Sequence, residues 1–172
     1  TDPSLKDRVA IANNAGNVDL FVSIHANASG SGQRWTDPSG WEVYSWNKGT
    51  IAENAAKSLA SATKSASLFK IRGTKTANFY VIKNTTMPSI LIEHGFYTNY
   101  EECQKLKSDY FRNAIAQVDC TGILNFLEKA RTLSIASARC TPPPTQRIGR
   151  FVAANLWNIF LICTGFPCTV GL

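Results

Sequence analysis

His25, Glu93 and His94 are the residues whose type and sequence context could carry chemistry. The chain of 172 residues has only two histidines. His25 ends an apolar run, VDLFVSIH, and precedes the polar stretch Ala26–Gly30. It reads either as a hydrogen-bonded histidine at a strand end or as a metal ligand or acid/base. A neutral imidazole suits zinc. Glu93 ends the very apolar run SILIE. Burial beside Ile90, Leu91 and Ile92 would disfavour its ionised form and raise its pKa. A general base working near neutral pH needs that shift. The other reading is a carboxylate paired with a nearby Arg or Lys. His94 follows Glu93 directly, and neighbours on a strand point to opposite faces. It is therefore expected to be structural and outside Glu93's site.

One imidazole is too few for a catalytic zinc, which takes about three protein ligands and an open position. No HExxH or CxxC pattern supplies the rest, and Cys103 and Cys120 stand far in sequence from a second ligand. There is no GxSxG nucleophile motif. The GSG of Gly30–Gly32 lacks the following Lys-Ser/Thr and helix of a phosphate loop. Trp35, Trp41, Tyr44 and Trp46 could stack on sugars, or be residues half in the core and half on a rim.

The elements that must position these groups follow from pattern. Asp2-Pro3 opens a helix, with Leu5, Val9 and Ala12 at helical spacing and Gly16 ending it. Val18–His25 is a strand and Ala26–Gly40 a long loop. Trp41–Trp46 alternates and is a strand. Thr50-x-x-Glu53 is a capping box opening a helix to about Ser67. Arg72-Gly73 reads as a turn, Asn78–Lys83 as a strand and Asn84–Pro88 as a loop. Ser89–Glu93 reads as a central strand. Asn99-x-x-Glu102 is a second capping box, and Ser108 caps a last helix to about Leu127. Strands alternating with helices predict an α/β domain, with a mostly parallel or mixed sheet flanked by helices on both faces.

Composition divides the chain. All 12 acidic residues lie at or before Glu128, and only Arg131, Arg139, Arg147 and Arg150 are charged beyond Lys129. The formal charge of +6 is thus a nearly neutral front of +2 and an arginine-only tail of +4. The front is too weakly basic to argue for nucleic acid. Five cysteines are too few for a disulfide-built miniprotein of this length.

The segments SLKDRVAIAN, DLFVSIHANA, GWEVYSW and FYVIKNTTMPSILIEHGFYTN resemble the zinc-dependent N-acetylmuramoyl-L-alanine amidases, specifically the type-3 catalytic domain of autolysins, sporulation hydrolases and phage endolysins. The pair SIHANA and MPSILIEHGF is the most specific part. The resemblance covers about residues 1–127. It implies the zinc amidase fold and cleavage of the amide between N-acetylmuramic acid and L-alanine of the peptidoglycan stem. It also implies zinc as cofactor, peptidoglycan as partner, and the cell wall or a phage lysin as the place of action. His25 then corresponds to a zinc ligand and Glu93 to the catalytic carboxylate. Asn27, in the same segment as His25, is taken as a substrate-binding residue.

The family's first histidine, in a Gly-His-Gly segment, and its glutamate ligand have no counterpart here. The expectation is a domain incomplete at its N-terminus, with a bare sheet edge, weak zinc binding and no hydrolysis on its own. Alternatives are a wall-binding protein on the same fold without the metal, or a related zinc carboxypeptidase. Residues 1–128 are expected to form the partial catalytic domain and 129–172 a tail without function, its composition that of a shifted reading frame. The uncharged run Phe151–Val170 is broken by Asn155, Asn158, Gly165 and Pro167, so a membrane span is not favoured. A monomer is expected.

Overall fold

The computed structural model describes residues 3–138 and 159–163. Helix α1 spans Leu5–Asn14, strand β1 Leu20–Asn27, β2 Trp41–Ser45, α2 Ile51–Ala66 and β3 Ile71–Thr76. Then come α3 at Tyr80–Asn84, β4 at Ser89–Phe96, α4 at Tyr100–Lys107, α5 at Asp109–Ala138 and β5 at Ile159–Cys163. The strands form one mixed sheet in the order β3-β2-β4-β1-β5. β1 runs parallel to β4 and to β5, β2 runs parallel to β3, and β2 is antiparallel to β4.

Each sheet face carries its own core, because side chains alternate across a strand. Leu20, Val22, Trp41, Val43, Ile90 and Ile92 face α2 and α5. Gly122 of α5 lies against Leu59 of α2, where an added Cβ would stand 2.8 Å from the Leu59 Cα. Phe21 and Leu91 face the other way, against Val9 and Ala12 of α1 and Val81 and Ile82 of α3. The layered arrangement with helices on both faces is the one expected from sequence.

The expected cap Asp2 lies outside the described residues, and Ser4 caps α1 by accepting from the Asp7 N–H. Thr50 and Asn99 cap α2 and α4 as expected. Their partner glutamates bond elsewhere, Glu53 to the Gly49 N–H and Glu102 to the N–H groups of Gly40 and Phe96. The segment read as a strand at Asn78–Lys83 contains the short helix α3, which turns Val81 and Ile82 together into the α1 core. Arg72-Gly73 is not a turn. It lies within β3, at a register shift where Trp41 pairs Ile71 but Glu42 pairs Gly73. Gly73 has φ +103°, a conformation that side chains disfavour. Glycine marks bulges as well as turns, and here it marks a bulge.

The outer edge of β1 is not bare. β5 pairs along it from Leu20↔Ile159 to Ile24↔Cys163. Pro142–Pro144, Cys140, Cys168 and the rest of the uncharged run beyond β5 lie outside the described residues. Among the described residues no helix is long and apolar enough to cross a membrane.

Candidate active site

His25, Glu93 and Glu42 form a row across the sheet. His25 of β1 is in register with Glu93 of β4, and Glu93 is in register with Glu42 of β2. Register partners project to one face. That face is the α1 and α3 side, since Phe21 and Leu91, two residues or multiples of two away, pack there. The row stands at the carboxyl ends of β1 and β4, where functional groups gather in α/β sheets.

Glu93 is half-buried, and its Oε2 is a buried atom with no hydrogen-bond partner among the described residues. Burial, and then the nearby charge of Glu42, push its pKa up to about 7. His25 is also half-buried, with Nε2 2.8 Å from the Ser23 Oγ. Burial, reinforced by the charge of Arg8, lowers its pKa, so the imidazole is neutral near pH 7. His94 points the other way, as expected. It is buried on the α5 side, with Nε2 at 2.9 and 3.1 Å from the two carboxylate oxygens of Asp119.

Glu42 was not legible as a site residue. A glutamate in an alternating strand looks solvent-facing, yet this one is 2 % exposed. Its Oε1 accepts from the Asn27 Nδ2 at 2.7 Å and the Tyr44 hydroxyl at 2.6 Å. Its Oε2 accepts from the Arg72 Nε at 2.7 Å and from the Lys75 Nζ. Burial alone would raise its pKa, but the hydrogen bonds from Lys75, Tyr44 and Arg72 outweigh it and hold the carboxylate at about 2. Burial and the hydrogen bond to Glu42 push the Tyr44 hydroxyl well above its ordinary value. The signal that could have found Glu42 was the spacing of Glu42 and Tyr44, one face of a strand whose other face is the apolar Trp41 and Val43.

The loop after β1 is pinned beside this row. Thr98, fully buried after β4, accepts at its Oγ1 from the Ser29 N–H at 3.0 Å, and its carbonyl accepts from the Thr36 N–H at 2.8 Å. The tryptophans do not form one platform. Trp41 is fully buried, Trp35 meets Tyr100 edge-on at 5.3 Å, and Trp46 lies under Lys83.

The profile of the family described as N-acetylmuramoyl-L-alanine amidase matches residues 1–125. The chain belongs to that family. It is 38 % identical over 129 residues to the N-acetylmuramoyl-L-alanine amidase LytC of Bacillus subtilis strain 168, covering 72 % of this chain and 24 % of that protein. It is 35 % identical over 136 residues to the sporulation-specific N-acetylmuramoyl-L-alanine amidase of the same organism, covering 78 % and 49 %. The crystal structure of N-acetylmuramoyl-L-alanine amidase from Clostridium difficile 630 superposes with a TM-score of 0.68 at 36 % identity, covering 74 % of this chain and 67 % of that one. The chain thus spans about a quarter and about half of the two curated relatives.

Members of this family are generally zinc-dependent. Among the described residues no three His, Cys, Asp or Glu side chains converge as a metal site. Neutral His25 fits as one ligand, and the carboxylate beside it is Glu93. One imidazole and one carboxylate fall short of a catalytic zinc's ligand set. The described residues alone do not fit the ion.

Proposed function

We propose that this domain acts on peptidoglycan, at the amide joining N-acetylmuramic acid to L-alanine. The observation that carries the reading is the in-register pair of His25 and Glu93 on one face of a sheet shared with solved amidases. Glu93 is the acid/base. A carboxyl with a pKa of about 7 is half ionised at neutral pH, so it can accept a proton from water and return it to the leaving amine. The orphaned Oε2 is the lone-pair site for that proton. His25 is one zinc ligand. With Glu93 as the acid/base, the other two protein ligands of a catalytic zinc are not among the described residues, and turnover requires that they be supplied. Asn27 is the substrate-binding residue, its amide fixed by the Nδ2 bond to Glu42 and by the Ala28 N–H on Oδ1 at 2.8 Å. The place of action is the cell wall.

The test is product analysis on purified peptidoglycan, comparing the chain alone with a zinc-loaded chimera. The chimera carries the part of the Clostridium difficile amidase that this chain does not span. New L-alanine amino groups and free lactyl carboxylates from the chimera support the reading. A released terminal amino acid indicates a carboxypeptidase, and a folded, zinc-loaded chimera without turnover indicates a wall-binding protein.

A further inference from the structure

We propose that Arg72 and Lys75 form a carboxylate-binding subsite beside Glu93, for an anionic group on the peptide side of the scissile amide. The inference rests on the function proposed above and names part of its substrate.

Both cations converge on one oxygen of one buried carboxylate, Glu42 Oε2. One cation neutralises it, so positive charge is left over even beside the half-ionised Glu93. Glu42 is sealed on its other oxygen by Asn27 and Tyr44, and so accepts no further cation. The surplus charge stays accessible, because the Arg72 and Lys75 side chains are 34 % and 37 % exposed.

In a regular strand, residues three apart point to opposite faces. Arg72 and Lys75 reach the same oxygen because the bulge at Gly73 brings Arg72 to the Glu42 side. Bulges re-aim side chains next to functional sites. The guanidinium is further fixed over the Phe96 ring at 5.0 Å, at the end of the strand that carries Glu93. Its Nε is spent on Glu42 and its Nη1 reaches the Ser39 carbonyl at 3.4 Å, which leaves Nη2 to meet a carboxylate.

Distance sets which carboxylate. The two cations meet Glu42, which lies one strand over from Glu93. Adjacent strands are about 4.8 Å apart, and an extended peptide advances roughly 3.4 Å per residue. The anion therefore belongs to a residue one or two places beyond the cleaved bond.

The test uses the intact chain and binding alone. The probes are N-acetylmuramoyl-L-alanylglycine, with a free carboxylate, and its C-terminal amide, titrated by NMR. The acid is expected to bind about tenfold tighter than the amide, the worth of one charge-assisted hydrogen bond. That preference should vanish in Lys75→Met and persist in Lys75→Arg. Equal affinity of acid and amide in the unaltered chain overturns the subsite and leaves the proposed function standing. Binding of neither probe overturns the subsite, while the proposed function stands or falls with the zinc-loaded chimera. The acid–amide comparison in the unaltered chain decides even if Lys75→Met does not fold.

Discussion

Glu42 and Glu93 face each other in register across the β2–β4 ladder in opposite electrostatic states. Lys75, Tyr44 and Arg72 overcome the burial of Glu42 and hold it ionised, while burial and the Glu42 charge push Glu93 up to about 7. Environments that drive two carboxyl groups apart assign them different roles. Here Glu42 is the carboxylate held ionised by its neighbours, and Glu93 is the carboxyl we propose as the proton exchanger.

The raised pKa of Glu93 has a thermodynamic consequence. The folded protein holds this proton more tightly than the unfolded chain does. Its contribution to stability is full below the ordinary value of 4.5 and is lost as pH rises through about 7. Glu93→Gln removes the titration. The variant should gain on the order of 2 kcal/mol over the parent between pH 4 and pH 8, after allowance for partial exposure. Urea unfolding at the two pH values measures it. A constant difference between the proteins contradicts the assignment.

Glu42→Gln should lower the Glu93 titration point, because it removes the negative charge that, after burial, raises it. Carbon-detected NMR of the Glu93 carboxyl reads the shift directly. An unchanged midpoint would mean that burial alone sets the value.

Asp119→Ala should destabilise the domain by roughly 2 kcal/mol, since it leaves the buried His94 ring without the carboxylate that ties β4 to α5. Denaturation measures the loss. Because His94 lies on the face opposite Glu93, probe binding by the folded fraction should be unchanged.

Gly73→Ala should cost about 1–3 kcal/mol, because φ +103° is strained for any residue with a Cβ. There is open space around that position, so the cost is conformational and not a clash. The same change should weaken the acid-over-amide preference by misdirecting Arg72. Loss of stability with the preference intact would separate the bulge from the subsite.

Much of this was legible from residue types at strand ends. His25 and Glu93 each close an apolar run, and the fold brings those two run ends together in register. His94 was excluded from the site by alternation alone. What sequence could not show was long-range pairing. Glu42 has its meaning only through Arg72 and Lys75, some 30 residues on. Gly73 signals a bulge only when a partner strand exists to be bulged against. Tyr80–Asn84 has the β-branched and aromatic residues of a strand, and the helix there is too short for a helical period to register. The pairing of β5 with β1 was beyond any local signal, since nothing within IFLIC specifies its neighbour.

The most direct test of the account is turnover by the zinc-loaded chimera with and without Glu93. Peptidoglycan digests should show new L-alanine amino groups. Glu93→Gln should cut kcat by about 10²–10⁴-fold with binding of the muramoyl probes retained, as expected for loss of a general acid/base. Undiminished release of L-alanine amino groups by the Glu93→Gln chimera would contradict it.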